Sequence, residues 1–310
     1  MGFDKQSDEI KEICGRLFAE GRVDAIFAHT DGGFDGTLIP FIAKNGEDTE
    51  KIAWGDRRWQ NLAPYLHGRK DRVGIVATPC DARAVAQYIN EGQLARENVY
   101  IIGVDCPGMT DADGDARPGC GECTVRVAPV CDERVAGEGT LTGTEGSAAE
   151  GAGGAGSGRD DGARGRDDAG HGRDDAGGGA AEKFARFRAE IDKCILCYSC
   201  RQACYACYCK TCFIERDMPD WQPAELDAGT KMTFHLGRYM HLAGRCVECG
   251  ACEAACASGV NVRYIISELT EFVDDMYGFK TGMDLETAQA MVRYDTGDRE
   301  VGFLGEAHHE

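Results

Sequence analysis

The chain has no apolar run approaching the roughly 18 residues that a membrane-spanning helix needs. No charged leader followed by an apolar core opens it, so neither a membrane span nor secretion is expected. Basic residues are scarce as well: 34 Lys and Arg stand against 53 Asp and Glu, for a formal charge of -19. A nucleic-acid surface needs clustered Lys and Arg to displace counterions from phosphates, and nucleic acid is therefore not expected as a partner. The imbalance continues at the C-terminal end, where 18 acidic and 8 basic residues lie between Phe213 and Glu310. It reads as a solvated acidic face. Gly151, Gly153 and Gly156 have the spacing of a dinucleotide fingerprint, but that motif must follow a strand and open a helix, and here the flanks are low-complexity sequence. No nucleophile and base pair, metal-activated water or phosphate loop stands out, so bond-making catalysis is not expected.

What the chain has in abundance is cysteine, 17 in 310 residues. Cys194, Cys197, Cys200, Cys204, Cys207, Cys209 and Cys212 fall within nineteen residues, and Cys246, Cys249, Cys252 and Cys256 follow about one helix later. Both arrays contain C-x2-C-x2-C-x3-C, the spacing of bacterial two-cluster ferredoxins, in which the fourth cysteine ligates the other cluster. Cys194, Cys197, Cys200 and Cys256 are therefore expected to hold one [4Fe-4S] cluster, and Cys246, Cys249, Cys252 and Cys204 its neighbour. The competing reading is zinc, which two C-x2-C pairs also bind; three thiolates at steps of three suit a cube better than a tetrahedron. Proline often follows the fourth cysteine, but Tyr205 and Ala257 stand there. Thiols kept reduced at this density favour metal ligation over disulfides, and a cytoplasmic, oxygen-poor setting is expected. Cys207, Cys209 and Cys212 exceed what two clusters need, which leaves open a fourth cluster, with Cys131 as a remote partner, or an exchange of ligands. Cys14 reads as an ordinary core thiol.

Residues 137–180 are mostly Gly, Ala, Asp and Arg, with GRDD recurring at Gly158, Gly165 and Gly172. Such a segment buries no core and reads as a disordered linker. It divides an α/β domain (1–136) from a cluster domain (181–280), after which 281–310 forms a tail. In the first domain, Ser7 to Glu20 carries Ile10, Ile13, Cys14, Leu17 and Phe18 on one helical face, and Val23 to Ala28 reads as a buried strand. Val73 to Ala77 and Val99 to Val104 are two more strands, joined by a helix over Asp81 to Asn90. That βαβ unit predicts parallel neighbours in a partly parallel sheet. The cluster domain is expected to be α+β and ferredoxin-like. Trp54, Trp59 and Trp221 read as packing residues, His235 and His241 as packed or surface residues, and His308 and His309 as part of a disordered end.

The two parallel strands end in Thr78-Pro79-Cys80-Asp81 and Val104-Asp105-Cys106-Pro107, so Cys80 and Cys106 are expected to face one crevice. Cys80 precedes a helix, whose N-terminal amides would lower its thiol pKa. Cys120 and Cys123 form a C-x2-C pair on a loop able to fold back over that crevice. Together the four could hold a third [4Fe-4S] cluster; a zinc knot or free core thiols are the alternatives.

The stretches GIVATPCDARAV, VYIIGVDCPG, CGEC, CILCYSCRQACYACYCKTCF and MTFHLGRYMHLAGRCVECGACEAAC together resemble the beta subunit of coenzyme F420 hydrogenases and formate dehydrogenases. More narrowly, they are similar to members with a C-terminal dicluster domain that serve heterodisulfide-reductase-type complexes. The resemblance covers roughly residues 5–135 and 185–285. It implies an electron-transfer subunit working between a hydrogenase or formate dehydrogenase catalytic subunit and a heterodisulfide-reductase-like flavoprotein. It also implies the third cluster at Cys80, Cys106, Cys120 and Cys123. The alternatives are a beta subunit that binds FAD and itself transfers hydride to or from F420 or a nicotinamide, and a zinc-stabilised interaction module.

Overall fold

The computed structural model describes residues 3–111, 113–137, 179–216 and 225–292. Most of the expected linker, Trp221, His308 and His309 lie outside the described residues, as do the three glycines of dinucleotide spacing.

The N-terminal half is a five-stranded sheet in the order β2-β1-β3-β4-β5. Its strands are β1 (Ala25–Asp31), β2 (Leu38–Ala43), β3 (Val73–Ala77), β4 (Val99–Val104) and β5 (Glu133–Val135). β1, β3, β4 and β5 run parallel, with Ile75 opposite Ile101 and Val104 opposite Val135, and β2 pairs antiparallel on the outer edge of β1. The expected βαβ unit is present, and its helix α2 (Pro79–Asn90) starts two residues earlier than the apolar pattern suggested. β2 and β5 were not anticipated. β2 is buried only at its two ends, Leu38 and Ala43, with no alternation around Pro40, and β5 has only three residues, too few to show a period.

Alternation along the central strands divides the core. Ile26, Ala28, Val76, Ile102 and Val104 point to the face covered by α1 (Asp4–Ala19), whose Ile10, Ile13, Cys14 and Leu17 are buried there. Phe27, Ile75, Ala77 and Ile101 point to the other face, where α2 contributes Ala82, Val85 and Tyr88. Both faces being covered accounts for the near-continuous apolar runs of β3 and β4.

The second face does not stop at α2. The same apolar cluster continues into Phe187 and Ile191 of α3 (Ala180–Asp192), Phe234, Tyr239 and Leu242 of α5 (Ala228–Leu242), and Val262 and Ile266 of α7 (Val262–Tyr277). Two four-residue helices, α4 (Ser199–Gln202) and α6 (Ala251–Ala254), lie within the cysteine arrays and pack on one another. Among the described residues from 179 onward there are helices and turns but no strand, which corrects the expected α+β character of this region. The physical reason is that both arrays are entered directly from helices whose buried residues recur every three to four positions, Phe187 and Ile191 before the first, and Phe234, Arg238 and Leu242 before the second.

A polar knot ties the halves together. Glu91, which caps the C-terminus of α2, pairs with Arg245 at 2.5 Å and accepts from the Tyr208 hydroxyl at 2.5 Å. Tyr88 donates its hydroxyl to the carbonyl of Tyr205, and the Tyr205 hydroxyl in turn donates to the carbonyl of Arg245. His67 stacks on Tyr208 with ring centroids 4.5 Å apart. Arg83 of α2 donates to the carbonyls of Thr281 and Val247 at 2.9 and 3.3 Å. Gly282 sits so close to α2 that an added Cβ would run into the Arg83 carbonyl oxygen. Tyr205, in the place where proline is common, is thus the residue that docks the first array onto α2.

Candidate metal centre

The two arrays fold alike. In Cys194 to Cys200, Leu196 and Tyr198 have φ of 53° and 60°; in Cys246 to Cys252 the equivalent Glu248 and Gly250 have φ of 57° and 72°. Three of these four are not glycine, and a left-handed conformation costs an L-residue on the order of 1–2 kcal/mol. The conformation turns the backbone N–H of Leu196 onto Cys194 Sγ and that of Glu248 onto Cys246 Sγ, each at 3.3 Å. Val260 N–H reaches Cys256 Sγ at the same distance. Short helices α4 and α6 then carry Cys200 and Cys252 back towards the thiols that precede them.

The thiols surround two hollows. One has a cavity volume of about 20 Å³ and is lined by Cys204, Cys246, Cys249 and Cys252, with Arg238. The other has a cavity volume of about 10 Å³ and is lined by Cys194, Cys197, Cys200 and Cys256, with Phe234 and His235. Each hollow thus takes three thiols from one array and the last thiol of the other. Among the described residues, no three His, Cys, Asp or Glu side chains converge as closely as one metal ion requires.

Burial dominates their electrostatics. It pushes the Cys249 thiol up to about 12 and that of Cys200 to about 11, and raises Cys246 well above the ordinary thiol range. Cys204 departs from this: the Cys207 thiol hydrogen-bonded to it, with help from Arg238, holds it below that range, and Cys207 is raised in return. Cys197 is exposed and lowered by hydrogen bonds at Ser199. Cys209 is exposed, and Cys212 caps a short turn in which its N–H donates to Glu215 at 2.9 Å. Cys131 lies beneath Gly103 of β4, with Asp132, Arg134 and Asp105 as its charged neighbours. Cys207, Cys209 and Cys212 are not among the groups that act on the Cys131 thiol. Cys14 is fully buried on α1, its thiol raised to about 12 by burial and by Glu133.

The N-terminal quartet gathers at the ends of β3 and β4. Cys80 interacts electrostatically with Cys249, Cys123 and Cys106, and Cys106 with Cys120 and Cys123. The loop carrying Cys120 and Cys123 is folded back by Arg126, which donates to the carbonyls of Pro107 and Cys120 at 2.9 and 2.6 Å, while Cys106 N–H donates to the Arg126 carbonyl. Asp81 fixes the turn at Cys80. Its carboxylate accepts from the N–H and hydroxyl of Thr78 and from Leu62 N–H at 2.9, 2.7 and 2.7 Å. The Cys80 thiol is raised well above the ordinary range, by burial first and neighbouring thiols second. This corrects the expected lowering: Cys80 lies inside the first turn of α2, and desolvation outweighs the helix amides.

Sequence reasoning missed Arg58. It is 1% exposed, its guanidinium lies 3.7 Å over the Trp54 ring, and its Nη2 stands 3.7 Å from Cys106 Sγ. Its Nε and Nη1 make no hydrogen bond. His29 nearby is buried, and burial with Arg58 lowers its pKa to about 3. Arg58 stands in an irregular segment without periodicity, so nothing local marked it.

His235 is packed as expected, its Nδ1 3.2 Å from the Tyr239 hydroxyl, and His241 is exposed beside Phe213. No described helix is long and apolar enough to cross a membrane.

No protein-family model matches the chain. It is 30% identical over 93 residues to the F420-dependent formate dehydrogenase subunit beta of Methanocaldococcus jannaschii, a match covering 30% of this chain and 24% of that protein. It is 29% identical over 101 residues to the F420-dependent formate dehydrogenase 1 subunit beta of Methanococcus maripaludis, again covering 30% and 24%. Among solved structures, it is similar to a chain of the F420-reducing [NiFe] hydrogenase complex of Methanosarcina barkeri at a TM-score of 0.30 and 18% identity, covering 36% of this chain and 43% of that one. That likeness is too slight to bear on the fold. The chain matches about a quarter of the length of these curated relatives, each named as a beta subunit of an F420-dependent formate dehydrogenase.

Proposed function

We propose that the chain is an iron–sulfur electron-transfer subunit of a formate dehydrogenase or hydrogenase complex. In this reading Cys194, Cys197, Cys200 and Cys256 hold one [4Fe-4S] cluster, Cys246, Cys249, Cys252 and Cys204 a second, and Cys80, Cys106, Cys120 and Cys123 a third. The observation that carries it is the exchange of fourth thiols: each C-terminal hollow is lined by three cysteines of one array and the last of the other. Three thiols at steps of three suit a cube better than a zinc tetrahedron.

The clusters would supply one-electron chemistry. The chain's own residues prepare for them. Thiols raised by burial are protonated when empty, so ligation must release protons, and the gain in metal bonding offsets their desolvation. The N–H groups of Leu196, Glu248 and Val260 donate to the sulfurs that would ligate. Arg58 gives the third site a buried positive charge beside Cys106. The catalytic subunit of such a complex and a heterodisulfide-reductase-like flavoprotein are the proposed redox partners. The F420 dependence of the curated relatives favours a second reading, in which bound FAD would let the subunit itself exchange hydride with the deazaflavin.

Anaerobic purification of the full chain tests both. Brown protein with equal iron and acid-labile sulfide, and EPR signals of reduced clusters, is the expected result. Flavin in addition selects the second reading, whereas colourless, zinc-loaded protein overturns both.

A further inference from the structure

Arg238 lies on the buried face of α5 between Phe234 and Leu242 and is 3% exposed. One nitrogen is anchored: Nη2 donates to the Cys200 carbonyl at 3.2 Å, on the loop that lines one hollow. The rest of the side chain lines the other hollow, with Cys204, Cys249 and Cys252, and hydrogen-bonds the thiols of Cys204, Cys207 and Cys252. The groups that interact most strongly with its charge are Cys204, Cys252, Cys200 and Cys207, so both quartets are represented and no carboxylate is among them.

A guanidinium stays protonated at any ordinary pH, and burying one with no carboxylate to balance its charge is unfavourable. A protein retains such a group where anionic charge arrives to meet it. Four thiolates around an iron–sulfur cube bring that charge, and reduction adds one more negative unit beside the arginine. In a low-dielectric interior the cation then stabilises the reduced form more than the oxidised one.

Resting on the cluster assignment above, we propose that Arg238 is a positioning residue shared by the two C-terminal quartets, a fixed internal counter-ion that raises the reduction potential of both clusters together. Its place between the hollows, anchored on one and lining the other, is what distinguishes it from a cation serving a single site.

The test uses the full chain, purified anaerobically, with Arg238→Met and Arg238→Lys beside the parent. Iron and sulfide are measured first, and the two C-terminal clusters are then followed by EPR-monitored redox titration. If the parent carries no iron, the cluster assignment fails, and this is visible before any variant is compared. With the parent loaded, Arg238→Met is expected to move both midpoints to more negative values, about tenfold in each reduction equilibrium, or 59 mV for a one-electron couple. Arg238→Lys should restore most of the shift. A Met variant that fails to load while the Lys variant loads fully also supports the proposal, because charge is then the requirement. Unchanged midpoints in a loaded Met variant, a shift confined to one cluster, or equal loss of iron in both variants would overturn it.

Discussion

The two thiol regions are assembled in opposite ways. In the C-terminal arrays, seven consecutive residues supply three thiols, and the loop's own left-handed turns aim backbone amides at the sulfurs. In the N-terminal crevice, the four thiols come from the first turn of α2, the end of β4 and a separate loop, and no two of them are oriented by the same local turn except Cys120 and Cys123. Each region nevertheless keeps one buried arginine, Arg238 in the first and Arg58 in the second. Local spacing and tertiary convergence thus reach a similar chemical environment, a nest of thiols around a fixed cation.

The comparison breaks most sharply if the regions are not independent. Cys249→Ala and Cys106→Ala in the full chain are each expected to remove one cluster's iron and its EPR signal while leaving the remainder. The test is stringent because Cys80 and Cys249 are electrostatic neighbours. Full retention of iron in either variant would refute that ligand set.

The next largest effect concerns the knot between the halves. Glu91 is held below the ordinary carboxylate range: burial opposes this, but Arg245, Tyr208 and Gln87 outweigh it. Glu91→Ala strands Arg245 and should cost on the order of 2–4 kcal/mol in denaturant unfolding. Loss of a single cooperative transition would show that the two regions unfold separately.

His29 sharpens the contrast on the N-terminal side. Its pKa of about 3 lies below the ordinary 6.5, so the unfolded chain binds the proton more readily. Stability should therefore fall as pH drops below 6.5 and level off near 3, amounting to about 1.4 kcal/mol at pH 5.5. His29→Gln should flatten the dependence in that window, measured by thermal unfolding.

The smallest effect tests local turn chemistry. Gly250 has φ of 72° and room for a Cβ, whose nearest neighbour would be Arg263 Cδ at 3.7 Å. Gly250→Ala is therefore a purely conformational change, expected to cost about 1 kcal/mol. A neutral result would mean that the equivalent Tyr198 carries no strain.

The sequence by itself determined the strands β3 and β4, the helix between them and the parallel pairing, because unbroken apolar runs and a short crossover leave little choice. It also determined which thiols come in threes, because a steps-of-three spacing is closed by local turns. Only the tertiary structure decided the rest. Short or polar elements such as β5 and the Arg58 segment carry no periodicity to read. Cys80 is raised rather than lowered because its burial depends on chain far away in sequence. Tyr205 docks onto α2 and Arg238 meets both quartets for the same reason: a buried polar group acquires its role from whatever the fold packs against it, and local sequence cannot specify that neighbour.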